Sequence, residues 1–233
     1  MRSYITEFIG TFFLVFTVAL CANPNTNHDT KVMAPLAIGC SLMIMVYMGG
    51  HISGGHYNPA VSLAVLLRGK MKGKDFAPYL IAQIFGALVA AYIASLIMGQ
   101  STPIAPTPMA TVTTVMPAPA VPKTEINLAM CLLIESLFTF ALALVVLNAA
   151  TAKETTGNSF YGLAIGFTIV VAAFAGGPIS GGAFNPAVGT GLTVVHAIFG
   201  GGEWKFLWLY LVGPLLGGAA AAFVFKEQHP AAE

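Results

Sequence analysis

Apolar residues run along this chain in six long blocks, each closed by polar, charged or proline-rich residues. The blocks cover about residues 4–22, 32–48, 76–98, 126–147, 159–175 and 204–225. A hydrocarbon core about 30 Å thick takes roughly 20 helical residues to cross, so blocks of this length predict transmembrane helices. Two shorter apolar stretches, Pro59 to about Leu67 and Pro186 to about His196, follow the second and fifth blocks. Ten helical residues cover about 15 Å, half of that core, so such a helix enters and leaves by one face. The predicted fold is an all-α membrane protein with six transmembrane helices and two re-entrant half-helices.

Each short helix is introduced by nearly the same residues. The first copy reads Gly49-Gly50-His51-Ile52-Ser53-Gly54-Gly55-His56-Tyr57-Asn58-Pro59-Ala60-Val61, and the second reads Gly176-Gly177-Pro178-Ile179-Ser180-Gly181-Gly182-Ala183-Phe184-Asn185-Pro186-Ala187-Val188. They differ only at His51/Pro178, His56/Ala183 and Tyr57/Phe184. Asn-Pro is a strong helix start, because the carboxamide caps and proline lacks only an N–H that has no partner in the first turn. The glycine pairs ahead of it predict an extended loop. The chain therefore divides into repeats of about 1–98 and 126–226 within one domain spanning 1–233. The connector, 99–125, is rich in Pro, Thr and Ala and uncharged from Gln100 to Pro122, which predicts an extended, mobile loop. Three spans per repeat is an odd number, so the second repeat is inserted upside down, and inverted repeats of this kind put their site at mid-membrane.

Composition agrees with a membrane protein. The chain is 57% hydrophobic and 8% charged, with mean hydropathy +0.81, whereas soluble domains are about 25% charged. A net charge of +1 gives no electrostatic case for a nucleic-acid partner. Cys21, Cys40 and Cys131 all lie in apolar blocks, which argues against a disulfide framework, and no metal-ligand spacing is present. No nucleophile, base and orienter converge in the sequence, so no enzyme activity, cofactor or metal is expected. Arg2 before the first block could read as a signal peptide. Glu7 within the block, the lack of a small-residue cleavage site and five further spans argue against that. With the N-terminus inside, Arg2, Arg68, Lys70, Lys72, Lys74, Lys153 and Lys226 face the cytoplasm and Lys31, Lys123 and Lys205 face outward. That asymmetry predicts both termini cytoplasmic, in a plasma (inner) membrane.

Half-helices entering from opposite faces bring their N-termini together near the bilayer centre. Each carries about half a positive charge, so the pair repels cations and orients water oxygens toward the junction. Asn58 and Asn185 can cap with their oxygens while their NH2 groups point into a cavity. Irregular backbone survives at membrane depth only beside a cavity or within protein. The carbonyls of Gly54, Gly55, His56, Gly181, Gly182 and Ala183 are accordingly candidate pore-lining acceptors. Glu7 and Glu135 occupy equivalent places in spans one and four, and an intramembrane carboxylate is a functional candidate by default. His56 is either a vestibule residue or a loop residue bonded to backbone, whereas His51 and His196 read as structural. Gly162/Gly166 and Gly213/Gly217 have the small-xxx-small spacing of close helix packing. Tyr4, Tyr79, Tyr161, Trp204 and Trp208 lie near span ends, where amphipathic rings prefer the membrane interface.

The duplicated Asn-Pro-Ala boxes, Asn58-Pro59-Ala60 and Asn185-Pro186-Ala187, each in an Ile-Ser-Gly-Gly context, resemble the aquaporin (major intrinsic protein) family. The resemblance covers essentially the whole chain, from Glu7 to Gly213-Pro214. It implies a tetrameric six-span bundle in which each subunit passes water or small neutral solutes passively. It also implies that Glu7 and Glu135 brace the loops by accepting backbone N–H bonds. A second filter of that family falls here at Ile38, Ala173, Gly182 and Val188. Water-selective members carry an aromatic, a histidine and an arginine at the first, second and fourth positions. Glycerol-type members keep the arginine and follow it with aspartate, where this chain has Val188-Gly189. The resemblance thus implies an atypical or aquaglyceroporin-like member, with a wider, less polar outer constriction that admits glycerol, urea or ammonia besides water. An ion-coupled transporter with broken helices and a non-conducting junctional protein are the alternatives.

Overall fold

A computed structural model describes residues 1–107, 109–111 and 123–230. Six helices in these residues are long and apolar enough to cross a membrane: α1 (Arg2–Cys21), α2 (His28–Ser53), α4 (Gly73–Met98), α5 (Leu128–Thr151), α6 (Tyr161–Ser180) and α8 (Leu207–Gln228). Between them lie α3 (Pro59–Leu67) and α7 (Pro186–Phe199). With 9 and 14 residues, these two reach only about 14 and 21 Å. Side-chain caps start the helices where asparagine allows it: Asn27 Oδ1 accepts from Thr30 N and Asn127 Oδ1 from Met130 N. Phe85, Leu96, Leu137, Phe174 and Phe223 remain exposed on the outside of the bundle, the arrangement expected where lipid is the solvent.

Packing between the halves is symmetric. The α1/α4 and α1/α2 contacts of the first half correspond to α5/α8 and α5/α6 in the second, while α2 packs on α6. Each half-helix crosses to the other half: α3 packs on α8 and α7 on α4. Backbones approach closely at these crossings. A Cβ on Gly218 would stand 2.4 Å from Ala60 O, and one on Gly191 would stand 2.8 Å from Ala87 O. The small-residue positions read from sequence do the same, with Gly166 against Gly39 O and Gly217 against Ser136 O.

Two expectations need correction. Helices α2 and α6 do not stop at the first glycine pair of each motif but continue to Ser53 and Ser180. A Cβ at Gly49 would fall 2.0 Å from Tyr57 Oη, so this glycine serves close packing within the helix rather than irregular backbone. The helices end where Gly54 and Gly181 turn left-handed, φ 93° and 92°, each returning its N–H to the carbonyl four residues back. The connector is not extended and mobile throughout. Thr102 Oγ1 donates to Ala19 O, Asn23 Nδ2 donates to Thr102 Oγ1, Ser101 Oγ bonds His196 Nδ1, and Thr107 N donates to Ile179 O. Further on, Met109–Thr111 (β1) pairs antiparallel with Lys123–Glu125 (β2). The extended reading of 112–122 lies outside the described residues.

Candidate pore

Two carboxylates buried in the bundle hold the loops between α2 and α3 and between α6 and α7. Glu7 Oε1 accepts from Ser53 Oγ (2.7 Å) and His56 N (3.0 Å), and Oε2 accepts from Tyr57 N (2.7 Å) and Gln83 Nε2 (2.7 Å). Glu135 Oε1 accepts from Ser180 Oγ (2.6 Å) and Ala183 N (3.0 Å), and Oε2 from Phe184 N (2.6 Å). Both glutamates are fully buried, and each satisfies loop N–H groups that have no helical partner. The bracing also sustains strain. Tyr57 and Phe184 take left-handed φ of 49° and 48°, a conformation that costs a side-chain-bearing residue about 1–2 kcal/mol. From the far side, Tyr79 Oη donates to Ser53 O and Tyr210 Oη to Ser180 O. Tyr79 is thus a buried loop clamp rather than the interfacial ring its place near a span end predicts.

The half-helix tips interlock. Asn58 Oδ1 caps Ala60 N (2.9 Å) and Asn185 Oδ1 caps Ala187 N (2.9 Å). Asn58 Nδ2 donates to Phe184 O (3.0 Å) and Asn185 Nδ2 to Tyr57 O (2.8 Å), each reaching into the opposite loop. A carboxamide has two N–H donors, so one on each remains for the cavity beside them, whose wall includes both asparagines. The sequence reading had both hydrogens free. It missed the cross-loop bonds because they form only when the halves meet.

That cavity is small, about 40 Å³, room for about three waters. Ile38, Ala173, Gly182 and Val188, drawn from α2, α6, the second loop and α7, line it together. So do His56 and Ala183, while Leu14, Leu42, Leu142 and Ile165 supply an aliphatic wall. Gly54 and His51 line a second space, a vestibule of about 810 Å³ reached by Lys70, Lys72 and Asp75. His51 is an exposed vestibule residue rather than a structural one. His56 settles between its two readings: it bonds the Ser62 hydroxyl, not backbone, and lines both spaces. His196 is structural, holding Ser101 through Nδ1 and accepting at its carbonyl from Gly200 N and Gly202 N. Gly55 is buried and Gly181 partly so; neither is among the residues lining the cavity or the vestibule.

These features define an integral membrane bundle with two half-helices whose capped tips meet beside a small central cavity. The chain matches the Major intrinsic protein family over residues 1–225, and it belongs to that family. Aquaporin NIP1-2 of Arabidopsis thaliana is 32% identical over 229 residues, 97% of this chain and 74% of that protein. Glycerol uptake facilitator protein-like 6 of Lactiplantibacillus plantarum is 36% identical over 231 residues, 96% of each chain. The X-ray structure of the aquaglyceroporin from Plasmodium falciparum shares the fold, with a TM-score of 0.77 at 22% identity over 99% of this chain and 96% of that one.

Proposed function

We propose that this protein is a passive transmembrane channel for water and small neutral solutes, glycerol, urea and ammonia among them. The observation that carries the reading is the convergence of Asn58 and Asn185 on a small cavity whose wall also holds Ile38, Ala173, Gly182 and Val188. Among the described residues no Asp, Glu, Lys or Arg side chain lines that cavity, and His56 is its one titratable group. The names of the Arabidopsis and Lactiplantibacillus relatives, an aquaporin and a glycerol uptake facilitator, point the same way. In this reading the carbonyls of Gly54, His56, Gly182 and Ala183, residues that line the cavity or the vestibule, offer acceptors along the path, and the asparagine amides offer donors at its centre. Two half-helix N-termini facing one another oppose cations. Ile38, Ala173, Gly182 and Val188 form an outer constriction without a fixed cation, which lets small neutral solutes through beside water. The arrangement is an inverted repeat within one domain. The termini face the cytoplasm of a plasma (inner) membrane, and the subunit assembles as a homotetramer.

Stopped-flow light scattering on proteoliposomes tests this with water, glycerol, urea and ammonia. Wild type should conduct water and at least one larger solute above empty vesicles. Val188→Arg should suppress glycerol and urea more than water. Rapid water flow with glycerol and urea no faster than in empty vesicles would refute the permissive constriction, and flux that needs a proton or sodium gradient would refute a passive channel.

A further inference from the structure

The two loops share a plan but are not equally furnished. Carboxylate, serine and tyrosine make matching bonds in each half, as Glu7, Ser53 and Tyr79 correspond to Glu135, Ser180 and Tyr210. Beyond these, the first half carries a polar chain. Gln83 Nε2 donates to Glu7 Oε2 (2.7 Å) and to Ser62 Oγ (2.9 Å), and Ser62 Oγ lies 3.0 Å from His56 Nδ1. In the second half Ala183 and Gly189 hold the places of His56 and Ser62, and Pro214 follows Tyr210 as Gln83 follows Tyr79. Glu135 braces its loop without a counterpart to Gln83, so bracing alone does not call for that glutamine.

The direction of every proton in this chain follows from its members. Turning the Gln83 amide over would set its oxygen against the Glu7 carboxylate, so both N–H groups face Glu7 and Ser62. Its own Oε1 is left buried without a partner among the described residues. Gln83 Nε2 offers Ser62 no lone pair, and His56 Nδ1 is the one other partner of that fully buried hydroxyl among the described residues, so the serine proton goes to Nδ1. Nδ1 is then a bare lone pair, and a neutral imidazole must carry its proton on Nε2. Nε2 lies against Gly54, an exposed residue of the vestibule wall. His56 and Val146 line both cavity and vestibule and so mark the neck between them. Val146 offers no polar atom there; His56 is the neck's polar side.

We propose that Gln83 and Ser62 are positioning residues that lock His56 as an Nε2–H donor at the neck between cavity and vestibule. This rests on the channel reading above and refines it: a solute oxygen passing from the Asn58 and Asn185 amides meets a third fixed donor at the neck. Small neutral solutes that present an oxygen acceptor to that donor are the class favoured.

Solid-state NMR of [15N]histidine-labelled protein in lipid bilayers, at about pH 8.5 where an ordinary imidazole is neutral, reads the tautomer directly. The His56 signal is the one missing from His56→Ala. Wild type and Ser62→Thr should show Nε2–H alone, while Ser62→Ala and Gln83→Leu should populate Nδ1–H. In proteoliposomes His56→Ala should lower the urea-to-water permeability ratio roughly fivefold, the change one net hydrogen bond to the urea carbonyl is worth. Ser62→Ala should shift the ratio and Ser62→Thr should not. Nδ1–H in wild type, or an unchanged tautomer in both Ser62→Ala and Gln83→Leu, overturns the lock, and a ratio unmoved by His56→Ala overturns the donor role. A wild type impermeable to water and urea alike refutes the channel reading instead, and the NMR signal still decides the lock.

Discussion

Replacing Asn185 with alanine should destabilise the protein more than replacing Asn58, although the two sit in matching motifs. Each substitution removes an N-cap, worth about 1 kcal/mol, and a cross-loop bond with a net worth of about 1 kcal/mol. What differs is the carbonyl left behind. Asn58→Ala leaves Phe184 O still accepting from Thr139 Oγ1 at 3.1 Å. Asn185→Ala takes away the Asn185 Nδ2 bond to Tyr57 O, and Thr11, which stands where Thr139 stands in the other half, has no hydrogen-bond partner among the described residues. A buried carbonyl left unpaired costs about 1–3 kcal/mol. Asn58→Ala should therefore lose about 2 kcal/mol and Asn185→Ala about 3–5 kcal/mol. At about 2–4 °C per kcal/mol for a chain of this size, the gap in Tm is roughly 5 °C. Thermal unfolding of the purified variants in detergent, followed by the fluorescence of Trp204 and Trp208, measures it. Adding Thr139→Val to Asn58→Ala should bring that variant down to the level of Asn185→Ala. An Asn58→Ala variant as unstable as Asn185→Ala, or a Thr139→Val step that costs it nothing, would refute the account.

Three further substitutions test the frame around the loops. Glu135→Gln keeps one acceptor but turns an NH2 toward a loop N–H, losing charge-assisted bonds worth about 1.5–3 kcal/mol each. With Phe184 held at φ 48° by that carboxylate, denaturant titration in mixed micelles should show a loss of several kcal/mol, and a change under about 1 kcal/mol would exclude the bracing role. Gly217→Val places a Cβ 2.2 Å from Ser136 O and should prise α8 from α5, whereas Gly177→Ala meets nothing within 4 Å and should be tolerated. Monodisperse elution of both variants on size exclusion would refute the close-packing argument.

The spans and half-helices were legible because a bilayer imposes two simple demands, an apolar length and a satisfied backbone, and both leave marks in local sequence. Asn58-Pro59 and Asn185-Pro186 announced the starts of α3 and α7 to the residue, since capping is a short-range bond. The helix ends before them were misplaced for the opposite reason. Whether Gly49 bends the chain or admits Tyr57 depends on where Tyr57 lies, and a run of glycines does not say. Tyr79 reads as an interfacial ring until Ser53 O is seen under its hydroxyl. Gln83 did leave a signal that went unread: it is a lone amide inside an otherwise apolar span, and intramembrane polar groups are there to meet a partner. Reading Gln83 with Glu7 in that light would have found the start of the polar chain in the first half. Its proton order, which runs through Ser62 to His56, needed the distances, because the direction of a hydrogen-bond chain is fixed by which atoms meet and not by which residues are present.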